Sequence, residues 1–124
     1  MKMNQNNAGL EAEKLAATFL TAQGLKLVMQ NYHCRFGEID LIMQDGKTLV
    51  FVEVKLRSGS QFGGAAASIT PQKQQKLILT AQHYLQTQKI ADVPCRFDAV
   101  LMHSKILKNT DTQQIEWIRN AFET

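Results

Sequence analysis

Three side chains carry the chemistry this sequence offers: Asp40, Glu53 and Lys55. They sit in two apolar runs, Gly37-Glu38-Ile39-Asp40-Leu41-Ile42-Met43 and Thr48-Leu49-Val50-Phe51-Val52-Glu53-Val54-Lys55-Leu56-Arg57. Between the runs lies a Gln44-Asp45-Gly46-Lys47 break, and an Asp-Gly step between β-type segments is a strong hairpin signal. Side chains alternate along a strand, so Glu53 and Lys55 share one face while Val50, Val52 and Val54 share the other. Glu38 and Asp40 share a face of the first strand in the same way. If the two strands pair, Asp40 near the start of one approaches Glu53 near the end of the other. Converging carboxylates repel unless a cation lies between them, and hard oxygen ligands suit Mg2+ or Mn2+. A lysine on that face can position or activate a water and stabilise charge growing on phosphorus. The set is that of metal-assisted phosphodiester hydrolysis. The same spacing also suits a plain ion pair between Glu53 and Lys55, since ionisable groups in an apolar strand must be paired, metal-bound or functional.

The elements that must hold these residues follow from periodicity. Ala12, Leu15, Ala16, Phe19 and Leu20 recur at helical spacing and predict a helix over 8–23 that Gly24 stops. Glu13 falls beside that stripe and, from spacing, reads as a boundary residue with an i,i+4 neighbour or a solvated head. Leu25 to Met29 is a first strand that can run on through Tyr32 and Cys34. After the hairpin comes a Gly- and Ser-rich loop, Ser58 to Gly64, in which Phe62 is an aromatic able to fold onto the core or to stack on a base. Thr70-Pro71 opens a second helix, with Thr as N-cap and Pro at the first helical position. Lys73 in its first turn, with Lys76 behind it, opposes the helix dipole. It suits either a phosphate oxygen or solvent. Cys95 to Met102 forms a further strand, and Gln114 to Ile118 a short last one. The order is α-β-β-β-α-β with an optional last β: an α/β fold in one domain over residues 1–124, with residues 1–7 frayed. No Gly-rich phosphate loop follows a strand, which argues against dinucleotide and P-loop folds.

The bulk numbers constrain function weakly. A chain of 124 residues, 44% hydrophobic and 20% charged, is an ordinary soluble domain. It has no apolar run of membrane-spanning length and an asparagine-rich start without a signal core, so the expected location is the cytoplasm. Cys34 and Cys95 form no CxxC, and His33, His83 and His103 lack ligand spacing, so a zinc site or a disulfide is not expected. The two thiols are expected free and half-buried in strands. A net charge of +3 permits a polyanionic partner without demanding one.

The hairpin blocks resemble the signature of the YraN-like family of small bacterial proteins. That family is placed in the restriction-endonuclease-like superfamily with the PD-(D/E)xK motif, and is similar to archaeal Holliday junction resolvases. Further matching blocks are Gly9-x-x-x-Glu13, Asn31, Phe62-Gly63, Pro71-x-Lys73, Arg96-Phe97-Asp98 and Asn120-Ala121-Phe122. The resemblance implies a restriction-endonuclease-like α-β-β-β-α-β core with a central mixed sheet flanked by helices. It implies Asp40 and Glu53 as metal ligands, Lys55 as the catalytic lysine and Glu13 as an assisting helix-borne glutamate. Ile39 stands where the motif's name has proline. The expected activity is a Mg2+- or Mn2+-dependent nuclease acting on DNA, including branched or recombination intermediates, with Arg57 and Lys73 on phosphate. A homodimer follows by analogy with junction resolvases. The alternative is a non-catalytic nucleic-acid-binding or assembly module that keeps the fold.

Overall fold

Alternation along Thr48–Arg57 decides the architecture. Leu49 and Phe51 pack into one apolar cluster and Val50 and Val52 into another, so this strand is covered on both faces. The computed structural model describes residues 7–57, 69–103 and 115–123. In chain order these give α1 (Asn7–Ala22), β1 (Lys26–Cys34), β2 (Gly37–Asp45), β3 (Thr48–Arg57), α2 (Pro71–Thr87), β4 (Cys95–His103) and β5 (Ile115–Phe122). The five strands form one sheet in the order of the sequence. β3 and β4 are parallel, joined by a connection that contains α2, and the other neighbours are antiparallel. A parallel pair needs such a long crossover, whereas a two-residue turn suffices for β2 and β3. Here that turn is Gly46-Lys47, with Gly46 at φ 63°.

One helix covers each face. Ala12, Ala16 and Leu20 of α1 pack with Leu41, Met43, Val50, Val52, Val100 and Met102. Leu77, Ala81 and Tyr84 of α2 pack with Ile39, Ile42, Phe51, Phe97 and Ala99. The expected α-β-β-β-α-β order and mixed sheet are therefore present. α2 starts where the sequence places it: Thr70 is the N-cap, and its hydroxyl accepts the Lys73 N–H at 3.1 Å. Among the described residues no helix is long and apolar enough to cross a membrane. Ser58 to Gly64, with Phe62, lies outside the described residues, as does the first part of the expected frayed start.

Two expectations are corrected. The last strand is longer than Gln114 to Ile118 and takes in Ala121 and Phe122, both packed against the α2-side core. Its anchor is Asp98, 1% exposed. That carboxylate accepts from Trp117 Nε1 at 3.0 Å, from the Asn120 N–H at 3.0 Å and from Arg96 Nε at 3.1 and 3.2 Å. The β4–β5 register slips between Phe97 and Ala99, and Asn120 takes φ 52°, a left-handed conformation that asparagine tolerates. Cys95, expected half-buried, is exposed because it is the first residue of β4, while Cys34 is intermediate; both are free thiols.

Removing a buried, hydrogen-bonded carboxylate strands the charge and donors that face it. Asp98→Ala is expected to cost about 3–5 kcal/mol of stability. Urea unfolding checks this, and hydrogen exchange should show β5 opening first.

Candidate functional site

The site lies where the sheet forks. The β2–β3 ladder ends at the pair Leu41–Val52. Beyond it β2 stays beside β1 as far as Cys34–Gly37, while β3 runs on beside β4 to Arg57–His103. Asp40 and Glu53 are the first residues past the last rung. Ile39 packs on the α2 side and Leu41 on the α1 side, so the alternation of β2 breaks at Asp40. Its carboxylate instead accepts the Val54 backbone N–H at 2.8 Å, which gives that amide a partner past the end of the ladder.

Glu53 points to the α2 side and is 6% exposed. Its nearest cation is Lys73, whose Nζ lies 3.0 Å from Oε2; Lys55 Nζ is at 3.9 Å. Lys55 shares the face of Glu53, as alternation requires, with its side chain one-third exposed. Burial works against the Lys73 ammonium. The hydrogen bond to Glu53 and its charge, with Asp40 and Glu38 behind, nevertheless hold the lysine above its ordinary pKa.

Glu13 reaches the fork from α1. Its environment is set first by desolvation, which raises its pKa, then by hydrogen bonds with Asp40 and Asn31, which lower it. The charges of Glu38 and Glu53 raise it again. Its Oε1 is buried and has no hydrogen-bond partner. The spacing-based expectation of a solvated head is thus corrected: the fork opens the sheet under α1, and Glu13 turns into it. Asp40 is pushed up to about 8, first by desolvation and next by the Glu53 charge, against the opposing effect of the Val54 amide.

Asn31 is the residue that reasoning on chemistry passed over. It sits in β1 between the Gln30–Leu41 and Tyr32–Ile39 pairs, beside Asp40, with φ 55°. A left-handed residue inside a strand is uncommon outside glycine, and asparagine is among the side chains that tolerate it. The signal available in sequence was an asparagine inside an otherwise β-type run. Glu38 is held outside by His33 Nε2 at 2.9 Å, both side chains being exposed. Arg57 closes β3 in register with His103, and its side chain is outside the described residues.

The fork thus assembles Glu13, Asp40, Glu53, Lys55 and Lys73 from two helices and two strands. Among the described residues no three His, Cys, Asp or Glu side chains already stand at metal-holding spacing. The donor set still fits a hard divalent cation. An unpartnered buried carboxylate oxygen and a carboxyl that keeps its proton beside another carboxylate are both resolved by positive charge.

A family model described as "Uncharacterised protein family UPF0102" matches residues 12–102, a span that includes all five of these side chains. A UPF0102 protein of Nitrosomonas europaea is 56% identical over 117 residues, 94% of each chain. One of Methylobacillus flagellatus is 55% identical over 114 residues, covering 92% of this chain and 95% of its own. One of Saccharophagus degradans is 51% identical over 118 residues, covering 94% and 93%.

The Asp40 acid gives a stability prediction without any ligand. Its folded pKa of about 8 lies above the ordinary value of 3.8, so the folded chain holds a proton that the unfolded chain releases. Folding is therefore penalised increasingly as pH rises from about 4 to 8, and the full penalty is present above 8. Asp40→Asn removes it. In metal-free buffer with EDTA the variant should melt a few degrees above the parent at pH 8.5, on the scale of roughly 4 °C per kcal/mol. The advantage should shrink towards pH 4.5, as differential scanning calorimetry across that range would reveal.

Proposed function

The chain belongs to the UPF0102 family, and for it we propose metal-dependent hydrolysis of DNA phosphodiester bonds at the sheet fork. The observation that carries this reading is that Glu13, Asp40 and Glu53 lie near enough at the fork for each to act on another's ionisation, with Lys73 at 3.0 Å and Lys55 at 3.9 Å from Glu53. Asp40 and Glu53 would hold Mg2+ or Mn2+, and Glu13, whose Oε1 has no hydrogen-bond partner, would assist directly or through a water. When bound, the ion supplies positive charge against the phosphate oxygens as charge accumulates there.

The remaining steps belong to the protein. Lys55 is loosely placed at 3.9 Å from Glu53, and its ammonium orients the attacking water in line with the phosphorus. The water oxygen loses a proton to solvent and forms the new bond to phosphorus as the bond to the leaving sugar oxygen breaks, and that oxygen takes a proton back from solvent. Lys73, at the α2 N-terminus with Arg57 at the end of β3, meets the phosphate flanking the cut. Asp40 holds its proton up to a pH of about 8, so a cation there would compete with that proton and its affinity would rise with pH up to about 8. Branched or recombination intermediates are the proposed substrates, and a homodimer is the proposed working unit where two strands are cut together.

One observation favours a second reading. Lys73 already neutralises Glu53 at 3.0 Å, as it would in a non-catalytic nucleic-acid-binding module that keeps the fold. Supercoiled, linear and four-way-junction DNA incubated with Mg2+ or Mn2+ separates the two. The parent should nick or cut at least one of them, with activity abolished by EDTA. Asp40→Ala and Lys55→Ala should each lower the rate by about 100-fold or more. Cleavage that survives either substitution removes the assigned site, and binding without cleavage supports the module.

A further inference from the structure

Every described aromatic side chain but one packs into one of the two cores; the exception is Phe36. It sits half-buried in the two-residue Arg35-Phe36 turn between β1 and β2. The Arg35 guanidinium lies over its ring, 4.9 Å from the centroid. His83 of α2 meets the ring edge-on, with centroids 6.2 Å apart and planes at 66°. His83 is itself fixed, its Nδ1 lying 2.5 Å from the Tyr32 hydroxyl. An aromatic ring outside the core, oriented by a histidine and backed by a guanidinium, is a surface shaped for another flat group.

Its position ties it to the fork. Gly37 follows the turn, and a Cβ there would stand 3.2 Å from Thr80 Oγ1 and 3.8 Å from Lys76 Cβ. Only glycine lets the turn lie this close to α2, the helix that delivers Lys73. The next residue, Glu38, is near enough for its charge to act on both Glu13 and Lys73. That carboxylate lies 2.9 Å from His33, and the exposed cations Arg35, in the turn, and Lys76, against Gly37, offset its charge at this surface. His83, which the Phe36 ring meets, stands ten residues after Lys73 on α2, about 15 Å along the helix, so a strand whose phosphate lies on Lys73 reaches this turn a few nucleotides away.

We infer that Phe36, backed by Arg35, is a stacking platform for an unpaired base a few nucleotides from the scissile phosphate, which makes single-stranded DNA, or the unpaired strand at a junction or frayed end, the substrate class of the site. The inference rests on the nuclease reading for its scissile phosphate, although the platform is tested apart from cleavage. Base faces inside a duplex are already taken by their neighbours, so a stacking platform selects unpaired nucleotides. The modest +3 charge agrees with this, since a short contact to one strand neutralises fewer phosphates than a duplex-wide surface. Phe62, the aromatic that the sequence offers for stacking, is outside the described residues.

The test is binding by the full chain in EDTA, where no cleavage occurs. Fluorescence anisotropy with oligothymidine about twelve nucleotides long, and with a duplex of equal length, reads affinity. A single 2-aminopurine in the strand reads stacking by quenching. The parent should bind the single strand more tightly than the duplex and quench 2-aminopurine. Phe36→Leu keeps apolar bulk in the turn but not stacking. It should weaken single-strand binding by roughly 5- to 150-fold, abolish quenching and leave duplex binding unchanged. Phe36→Trp should retain both signals. Circular dichroism on each variant checks that the fold is kept; should Phe36→Leu unfold, parent quenching and Phe36→Trp decide alone. Unchanged single-strand affinity in Phe36→Leu, a parent preference for duplex, or absence of quenching overturns the platform. Cleavage by the parent with no effect at Phe36 sinks the platform alone. Stacking without cleavage sinks the nuclease reading alone, and a protein that binds neither DNA loses both.

Discussion

The hydrogen bond from the Val54 N–H to the Asp40 carboxylate is the contact on which the site depends. A sheet normally satisfies such an amide with a neighbouring carbonyl, and continuing the β2–β3 ladder by two rungs, to Ile39 opposite Val54, would do so. Had it continued, Asp40 would lie on one face of a closed sheet, and the helices on opposite faces could not reach a common point. With the side chain in place of the carbonyl, β2 and β3 part without leaving the Val54 amide bare. Through the opening Glu13 enters from α1 and Lys73 from α2. The cost is a desolvated carboxyl close to another, seen in the upward shift of Asp40 to about 8. That penalty is local, and the two apolar cores either side of the sheet carry the fold around it.

Much of this was legible in the chain. The alternation Val50, Val52, Val54 against Glu53 and Lys55 survives unchanged, because a strand covered on both faces has no freedom to slip by one residue. Asp45-Gly46 fixes the hairpin, and Thr70-Pro71 starts α2, for reasons confined to a few consecutive residues. What periodicity could not show arises from contacts distant in sequence. Asp40 breaks its strand's alternation for an amide fourteen positions away, a bond with no local signature. Glu13 looks solvated from its helix alone, yet the sheet opens beneath it and one carboxylate oxygen is enclosed there. β5 extends beyond its apolar stretch because Asp98, in another strand, holds Trp117 and Asn120. Resemblance to a nuclease motif singled out Glu13 where spacing did not. Asn31 it included only as part of a matching block, without a role.

The two lysines divide the work differently from what their spacing suggests. Lys55, two residues from Glu53 on the same strand, is the obvious partner, yet it stands at 3.9 Å while Lys73 takes the carboxylate at 3.0 Å. Alternating positions on a strand lie side by side, so Lys55 can turn its ammonium toward Glu53 only at an angle, whereas Lys73 approaches from the helix above it. The pair also resolves the misfit of a lysine in a first helical turn: repulsion from the helix N-terminus is offset by a buried carboxylate that needs a cation. Charge at the fork is thereby held near balance by two movable parts, the proton on Asp40 and the ammonium of Lys73. A divalent cation held by Asp40 and Glu53, as proposed, would supply the positive charge that the Asp40 proton and the Lys73 ammonium otherwise supply. Lys73 would then be free to meet a phosphate at the helix terminus, while Lys55, at 3.9 Å from Glu53 against 3.0 Å for Lys73, is the more loosely paired of the two lysines.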